Sequence, residues 1–393
     1  MERIRIGDAC DILNGYAFKS DKYVEKGIRV IRIANVQKGY IEDNAPVFYP
    51  LDFSGLEKYM LEEGDLLMSL TGNVGRVALI QRNMLPAALN QRVACLRLRS
   101  NRITKGFLFH ILNSDLFEQQ CVQASNGVAQ KNMSTEWLRD YEIPLYSMEE
   151  QLKITEILDK TRRIIDLRNY ELSVLDDLIK ARFVEMFGDP QLNPFGWNVV
   201  NISEVVGDKV SNGFFAKRDD YVDNGNVSVL GVANVVNRMY SKIDGLPRTN
   251  ADAKDIEKFE VKYGDMLFCR SSLVAEGIGK ASIIPEDVQE KVLFECHVIR
   301  LPLELSKCIP EFMQALSTME YFRNQVIAQS KTATMTTIGQ DGILKTDIIL
   351  PPIDKQREFY DFVKKIDKSK AVIQKALDKT QLLFDSLMQK YFG

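Results

Sequence analysis

Residues able to carry chemistry are sparse in this chain, and they are scattered. His110 and His297 are its two histidines, the side chains that titrate near neutral pH without help. The first falls in the apolar run Phe107-Leu108-Phe109-His110-Ile111-Leu112 and the second in the strand-like Cys296-His297-Val298-Ile299. Both are settings for core or surface residues rather than for a general base. The six cysteines (Cys10, Cys95, Cys121, Cys269, Cys296, Cys308) include no C-x-x-C pair and read as buried, reduced thiols. Cys296-His297 alone cannot build a zinc site, which needs ligand pairs at short spacing. Thr71-Gly72-Asn73-Val74-Gly75 is glycine-rich but lacks the G-K-[ST] ending of a phosphate loop. Glu260-Val261-Lys262 mimics the E-x-K half of a metal nuclease motif, a triplet that strands also produce by chance. Asn193-Pro194-Phe195 lacks the second proline of an N-P-P-[FY] methyltransferase loop and reads as linker. The expectation is a chain with no catalytic residue, no metal site and no cofactor of its own.

Phosphate and base-edge binding has better candidates. The net charge of −3 does not advertise a nucleic-acid binder, so any positive surface must be local. Between Asp65 and Asp115 no acidic residue occurs, while Arg76, Arg82, Arg92, Arg97, Arg99, Arg102 and Lys105 do. That is the footprint a phosphate backbone requires, or else a set of solvated strand faces. The polar stretch Ser125-Asn126-Gly127-Val128-Ala129-Gln130-Lys131-Asn132 has a counterpart in Ser330-Lys331-Thr332-Ala333-Thr334-Met335-Thr336-Thr337. Asn and Gln bond bidentately to adenine, Thr meets a thymine methyl and Lys holds phosphate; a flexible surface turn is the plainer reading. The candidate DNA-binding set is Lys19, Arg76, Asn126, Gln130, Lys131, Lys217, Arg270, Lys331, Thr334 and Thr336.

The elements that position these residues come as a tandem repeat. Asn14-Gly15, Lys19, Asp21, Tyr23-Val24 and Gly27 recur 198 residues on as Asn212-Gly213, Lys217, Asp219, Tyr221-Val222 and Gly225. The offset drifts upward through Ala34-Asn35-Val36, Gly64-Asp65 and Gly75, reaching 205 where Phe187-Gly188 matches Phe392-Gly393. A duplicated fold with a few loop insertions explains the drift. Within a copy, Ile28 to Ile33 and Val93 to Arg99 read as strands, and Phe107 to Leu112 and Phe312 to Leu316 as short helices. Pro144 and Pro351-Pro352 end that mixed α/β part.

A long helix follows in each copy. From Gln151 to Phe187 there is neither Gly nor Pro, and Gly188-Asp189-Pro190 supplies the stop. Apolar residues fall at a 4-3 spacing: Ile154, Leu158, Ile165, Leu172, Leu175, Ile179, Met186. Shifted by 205, the seam is Phe359, Val363, Ile366, Ile373, Leu377, Phe384, Leu387, Tyr391. Equal seams in one register predict a coiled coil; each helix packing on its own domain is the alternative. The predicted pairing residues are Leu158, Ile165, Leu172, Ile179, Val363, Ile373, Leu377 and Phe384. Arg168 and Arg182 interrupt the first seam and are candidates to face a partner.

Pro144-Leu145-Tyr146-Ser147-Met148-Glu149-Glu150-Gln151 and Pro351-Pro352-Ile353-Asp354-Lys355-Gln356 resemble the entry into the conserved helices of type I restriction-modification specificity subunits. Phe187-Gly188-Asp189-Pro190 with Asn193-Pro194-Phe195-Gly196-Trp197 resembles that family's junction between the central helix and the second recognition domain. Asn14 to Ser20 resembles the opening of a recognition domain. The first copy lacks the Gly-Trp opening, so its first strand is expected to be short, and Tyr146-Ser147 replaces Pro351-Pro352. The resemblance implies a mixed α/β fold: a target-recognition domain over 1–146, a central helix over 147–188, a second domain over 189–351 and a C-terminal helix over 352–393. The helices would pair as an antiparallel coiled coil in a tandem pseudo-two-fold repeat. It implies a non-catalytic subunit that reads an asymmetric bipartite sequence in double-stranded DNA. Its partners would be modification (methyltransferase) subunits using S-adenosylmethionine and restriction (motor-nuclease) subunits using ATP and Mg. Two other readings remain open: a subunit of a methyltransferase-nuclease without a motor, and a coiled-coil scaffold for proteins. The charged start and the absence of any run of 18 apolar residues point to a cytoplasmic protein without a membrane span.

Overall fold

Strand order repeats as faithfully as sequence. In a computed structural model, which describes residues 2–125, 132–288 and 290–393, the first copy forms a four-stranded antiparallel sheet. Its order is Cys10–Asn14, Val93–Leu98, Leu66–Ser69, Val77–Leu79. The second copy gives Ser211–Asn212, Val298–Pro302, Asp265–Cys269, Ala281–Ile283 in the same order. A three-stranded sheet accompanies each: Phe48–Tyr49, Ile28–Ile31, Ala87–Leu89 in one, and Arg248–Thr249, Val227–Leu230, Val292–Phe294 in the other. Leu66-Leu67-Met68-Ser69 is buried at every residue, as an inner strand covered on both faces must be. Leu66 and Met68 enter one apolar core while Leu67 enters another, which is the two-residue alternation of a strand. The first strand of copy one, Arg3–Arg5, has three residues where copy two has four, Asn198–Asn201. The strand expected over Ile28 to Ile33 stops at Ile31, because Ile33–Asn35 turns into a single 3₁₀ turn that Asn35 Oδ1 caps on the Arg32 amide, at 2.9 Å.

Two helices of 40 residues, Met148–Phe187 and Ile353–Phe392, span about 60 Å each at 1.5 Å per residue. They do not stand apart from the domains. One compact unit comprises Met1–Asn169 with Lys375–Gly393, and the other Tyr170–Gln374. Each helix is thus shared between the units, where four separate parts were expected. The cause is packing: Ile154 and Leu158 complete the core of the first unit, while Ile179, Phe183 and Phe187 complete that of the second.

Within each unit the helices run antiparallel. In the first, the Tyr146 hydroxyl donates to the Tyr391 carbonyl at 3.2 Å, and Arg168 donates to the Ala376 carbonyl at 2.5 Å and to the Thr380 hydroxyl. In the second, Lys370 donates to Asp176 at 2.6 Å, and the Arg182 guanidinium lies 5.6 Å from the Phe362 ring centre. Arg168 and Arg182 were candidates to face an outside partner; both instead serve the helix pair. Leu158, Ile165, Ile179, Val363 and Leu377 are buried, and Leu172, Ile373 and Phe384 half-buried.

A glutamine in each copy ties the helix start to its domain. Gln151 donates from Nε2 to the Arg102 and Tyr146 carbonyls, at 2.9 Å each, and accepts from the Thr104 amide at 2.8 Å. Gln356 does the same with Lys307 (3.1 Å), Pro351 (2.8 Å) and the Ile309 amide (2.9 Å). Both side chains are fully buried. Replacing Gln356 by the similarly sized Leu strands one amide and two carbonyls away from water. Urea denaturation should show the second unit losing about 2–3 kcal/mol, and Gln151→Leu should do the same to the first. A loss under about 0.5 kcal/mol would remove the clamp.

Candidate nucleic-acid interface

Loops from distant parts of each copy meet at one end of its four-stranded sheet. In the first copy, Tyr16 bridges Asn90, Thr71 bridges Asn132, and the Leu70 amide donates to the Arg92 carbonyl at 3.0 Å. In the second, Phe214 bridges Glu295, Ser271–Ser272 pairs with Thr336–Thr337, and the Arg270 amide donates to the His297 carbonyl at 2.8 Å. The repeated Asn-Gly explains the close approach. A Cβ on Gly15 would lie 2.2 Å from the Asn90 carbonyl, and one on Gly213 equally close to that of Glu295. Any side chain at these two places would push the loops apart.

Lys19 in the first copy and Lys217 in the second, three residues along the chain from the bridged Tyr16 and Phe214, are exposed. Neither enters an ion pair among the described residues. Arg76 is half-buried and donates to the Gln37 side chain. Arg270 is half-buried as well, its Nη1 donating to the Cys296 carbonyl at 3.2 Å beneath the loops. Asn126, Gln130 and Lys131 lie outside the described residues.

The counterpart stretch is not a loose turn. Lys331–Thr332 and Thr336–Thr337 form a hairpin that adds to Ser271–Ser272 as a three-stranded sheet. Lys331 and Thr334 are exposed, Thr334 at the hairpin tip. Thr336 corrects an expectation: it is 2% exposed, and its hydroxyl meets that of Thr332 at 3.0 Å. A buried hydroxyl bonded to its neighbour cannot reach a base, so Thr336 holds the hairpin together.

The acid-free stretch from Asp65 to Asp115 also changes meaning. Arg97 is held by the buried Asp65 at 2.6 Å and by Glu62 at 2.9 Å, Arg99 lies 3.4 Å from Asp11, and Arg102 meets Glu2. The hydrogen bond with Asp65 raises the Arg97 pKa further above its already high ordinary value. Acids absent from the stretch itself arrive from elsewhere in the fold, so it forms no continuous positive stripe. Arg92, exposed and without an ion pair among the described residues, is a member of the stretch on the loop face, where its carbonyl accepts from the Leu70 amide.

His297 stands where the repeat places Arg92, 205 residues on. It is exposed, with Nδ1 3.3 Å from the Ser271 hydroxyl. From the sequence Arg92 stands out only as one cation of the acid-free stretch, and His297 does not stand out for this face. Their shared place in the repeat was the available signal. His110, by contrast, is 3% exposed and tied to Asp159 at 2.7 Å; burial lowers its pKa, and it anchors the central helix. Apolar tips flank the cations in the second copy: Leu273 is 82% exposed and Phe215 67%. Such a surface can hold phosphates and touch bases. Among the described residues no cluster of three or more His, Cys, Asp or Glu side chains is placed to hold a metal ion.

The sequence matches the family model described as type I restriction modification DNA specificity domain twice, over residues 1–176 and 194–380. The type I restriction enzyme EcoBI specificity subunit of Escherichia coli is 23% identical, over 99% of this chain and 85% of its own length. The MjaVIII specificity subunit of Methanocaldococcus jannaschii is 30% identical over 43% of this chain and 41% of its own. Among solved structures, the S subunit of a type I restriction-modification system from M. genitalium aligns over 100% of this chain and 96% of its own. The TM-score is 0.59 at 12% identity, a likeness of fold.

Proposed function

Because this chain belongs, through both of its copies, to the type I restriction modification DNA specificity domain family, we propose that it is the sequence-reading subunit of a type I restriction-modification complex. Each copy contributes one loop face, and each face reads one half of a bipartite target. The single observation that supports this most is the duplicated face itself. Among the described residues, Lys19 and Arg92 on one copy, and Lys217, His297 and Lys331 on the other, carry no carboxylate partner. Their loop residues differ between copies, so the two half-sites differ and the target is asymmetric. Phosphate contacts from the lysines and Arg92 set position, and the neighbouring polar and apolar side chains, His297 among them, supply the base contacts.

The chemistry belongs to other subunits. Modification subunits bring S-adenosylmethionine and methylate adenine, and restriction subunits bring ATP, Mg and the nuclease. The long helices dock these partners, and the complex works in the cytoplasm; no helix among the described residues is long and apolar enough to cross a membrane. The purified chain alone should transfer no methyl group and cut no DNA. Base-modification sequencing of the source genome with and without the gene tests the central reading. A bipartite motif that disappears with the gene is expected, and an unchanged set of modified sites would overturn it.

The cations make a second, quantitative claim. In a complex assembled with methyltransferase subunits, replacing Lys217 and Lys331 by Ala removes two phosphate contacts. The slope of log K against log salt should flatten by about 2, at roughly 0.9 per phosphate, with the recognised sequence unchanged. A relaxed sequence with an unchanged slope would assign these lysines to bases instead.

A further inference from the structure

Away from the loop face, the second unit contains a cavity of about 390 Å³ between its globular part and the central helix. Lys180, Arg238, Lys280 and Arg323 line it, Lys180 lying 3.5 Å from Asp177 of its own helix. The acid on its wall, Asp176, already accepts from Lys370 at 2.6 Å. Among the described residues Arg323 has no carboxylate partner. One guanidinium nitrogen donates to the Glu276 carbonyl at 2.9 Å, while Nη1 is buried with no partner at all. Burial without a counter-ion lowers its pKa. Partly buried positive charge is normally compensated, so Arg323 lacks an anion.

The first copy shows what a compensated version looks like. Gly75 and Gly279 correspond, and a Cβ on either would press on the same helix, near Glu118 in one copy and Arg323 in the other. Lys38, at the position of Asn237, bridges Asp115 at 2.6 Å and Glu118 at 2.7 Å. Arg76, at the position of Lys280, donates to Gln37. By the 205-residue offset, Asp385 stands in the first unit for Lys180. Copy one therefore sets Asp115 and Glu118 against Lys38, whereas in copy two Glu320 keeps the place of Asp115 while Arg323 takes that of Glu118 and Lys180 that of Asp385. Ile179, Met239, Ala281 and Ala315 give the cavity an apolar wall beside the charges.

We propose that this cavity is a binding site for a small phosphate-bearing ligand of nucleotide size, present in the second unit and absent from the first. Phosphate oxygens accept from the lysines and arginines, as charge-assisted bonds favour, and a ring packs on the apolar wall. The volume falls in the range of small-ligand sites and is too small to admit duplex DNA. A single backbone phosphate at the mouth would satisfy the same cations. The inference does not depend on the DNA-reading role proposed above.

Calorimetric titration of the full chain with ADP and with pyrophosphate tests it. Saturable binding at one site per chain is expected. The double variant Lys180→Glu, Lys280→Glu should bind about tenfold more weakly or worse, while its ligand-free melting temperature stays that of the parent. Should that variant melt early, Lys180→Gln alone, on an exposed helix face, keeps the test intact and should weaken binding by a smaller factor. A short duplex that displaces ADP assigns the phosphate to a DNA backbone; failure to displace assigns it to a free nucleotide. No saturable binding at millimolar ligand, equal binding by the charge-reversed variant, or two equivalent sites per chain would each overturn the proposal.

Discussion

Phe392→Ala, at the last residue but one, should destabilise the first unit by about 3–5 kcal/mol, and Phe187→Ala should do the same to the second. The last turn of the helix that ends at Phe392 is plugged into a core. Phe392 is 5% exposed, its ring 5.4 Å from that of Phe107, and the Tyr391 carbonyl beside it accepts from Tyr146. Phe187 is fully buried, 4.9 Å from Phe312 and 5.7 Å from Phe359. Phe107 and Phe312 are repeat partners, so each copy ends in an aromatic that fills the core of the other copy's unit. Folded domains have only about 5–15 kcal/mol in hand, so either loss is a large fraction. The two tryptophans make the experiment selective, since Trp137 belongs to the first unit and Trp197 to the second. With the other tryptophan changed to Phe, Phe392→Ala should shift the denaturation reported by Trp137 and leave that of Trp197 nearly unmoved. Phe187→Ala should do the reverse. A Phe187→Ala loss confined to the Trp137 transition would show that each copy closes on itself.

That exchange marks the boundary of what the sequence discloses. The 4-3 spacing from Ile154 to Met186 and from Phe359 to Tyr391 identified the seams, because helical periodicity is local and survives in one dimension. Which core each helix end enters is not local. The recurring Phe-Gly announced a shared role without saying in which unit. The glutamine clamp was visible as a motif, and its reason, three backbone groups 47 to 49 residues away in sequence on one side and five on the other, was not. Charge was read least well. Counting acids along the chain made Arg97, Arg99 and Arg102 look free, although their partners come from 32 to 100 residues away. Thr336 looked like a base-reading residue by type and loop position, but strand pairing turned its side chain inward. Arg92 and His297 carried no motif, and only the repeat register linked them.

The same register exposes a rearranged ion pair, and with it the second large effect. Asp65 and Asp265 are equivalent. In the first copy the partner is Arg97, bonded to both carboxylate oxygens at 3.0 and 2.6 Å. Strand pairing sets Leu67 opposite Cys95 and Leu267 opposite Arg300, so Arg300 occupies the place of Cys95, and Pro302 that of Arg97. Moved by two residues, Arg300 reaches Asp265 only at 4.0 Å and donates to the Glu260 carbonyl instead. Asp265 is fully buried, one oxygen accepting from the Lys262 amide at 2.9 Å and the other with no partner. Burial without close compensation raises its pKa to about 6. A raised folded value means the native state holds this proton more tightly than the unfolded chain does. The contribution of Asp265 is therefore most favourable below about pH 4, declines as pH rises through 4 to 6, and is level above that. The full decline is about 3 kcal/mol, at 1.36 kcal/mol per unit. Asp265→Asn removes the ionisation, so parent minus variant, followed at Trp197 by denaturation at pH 4.5 and 7.5, should fall by about 2–3 kcal/mol as pH rises. Arg300→Cys with Pro302→Arg installs the arrangement of the first copy, and should abolish most of that pH dependence by bringing an arginine onto both oxygens. If the parent and Asp265→Asn run parallel across this range, the carboxylate is already compensated and the two-residue shift of the arginine has no electrostatic consequence.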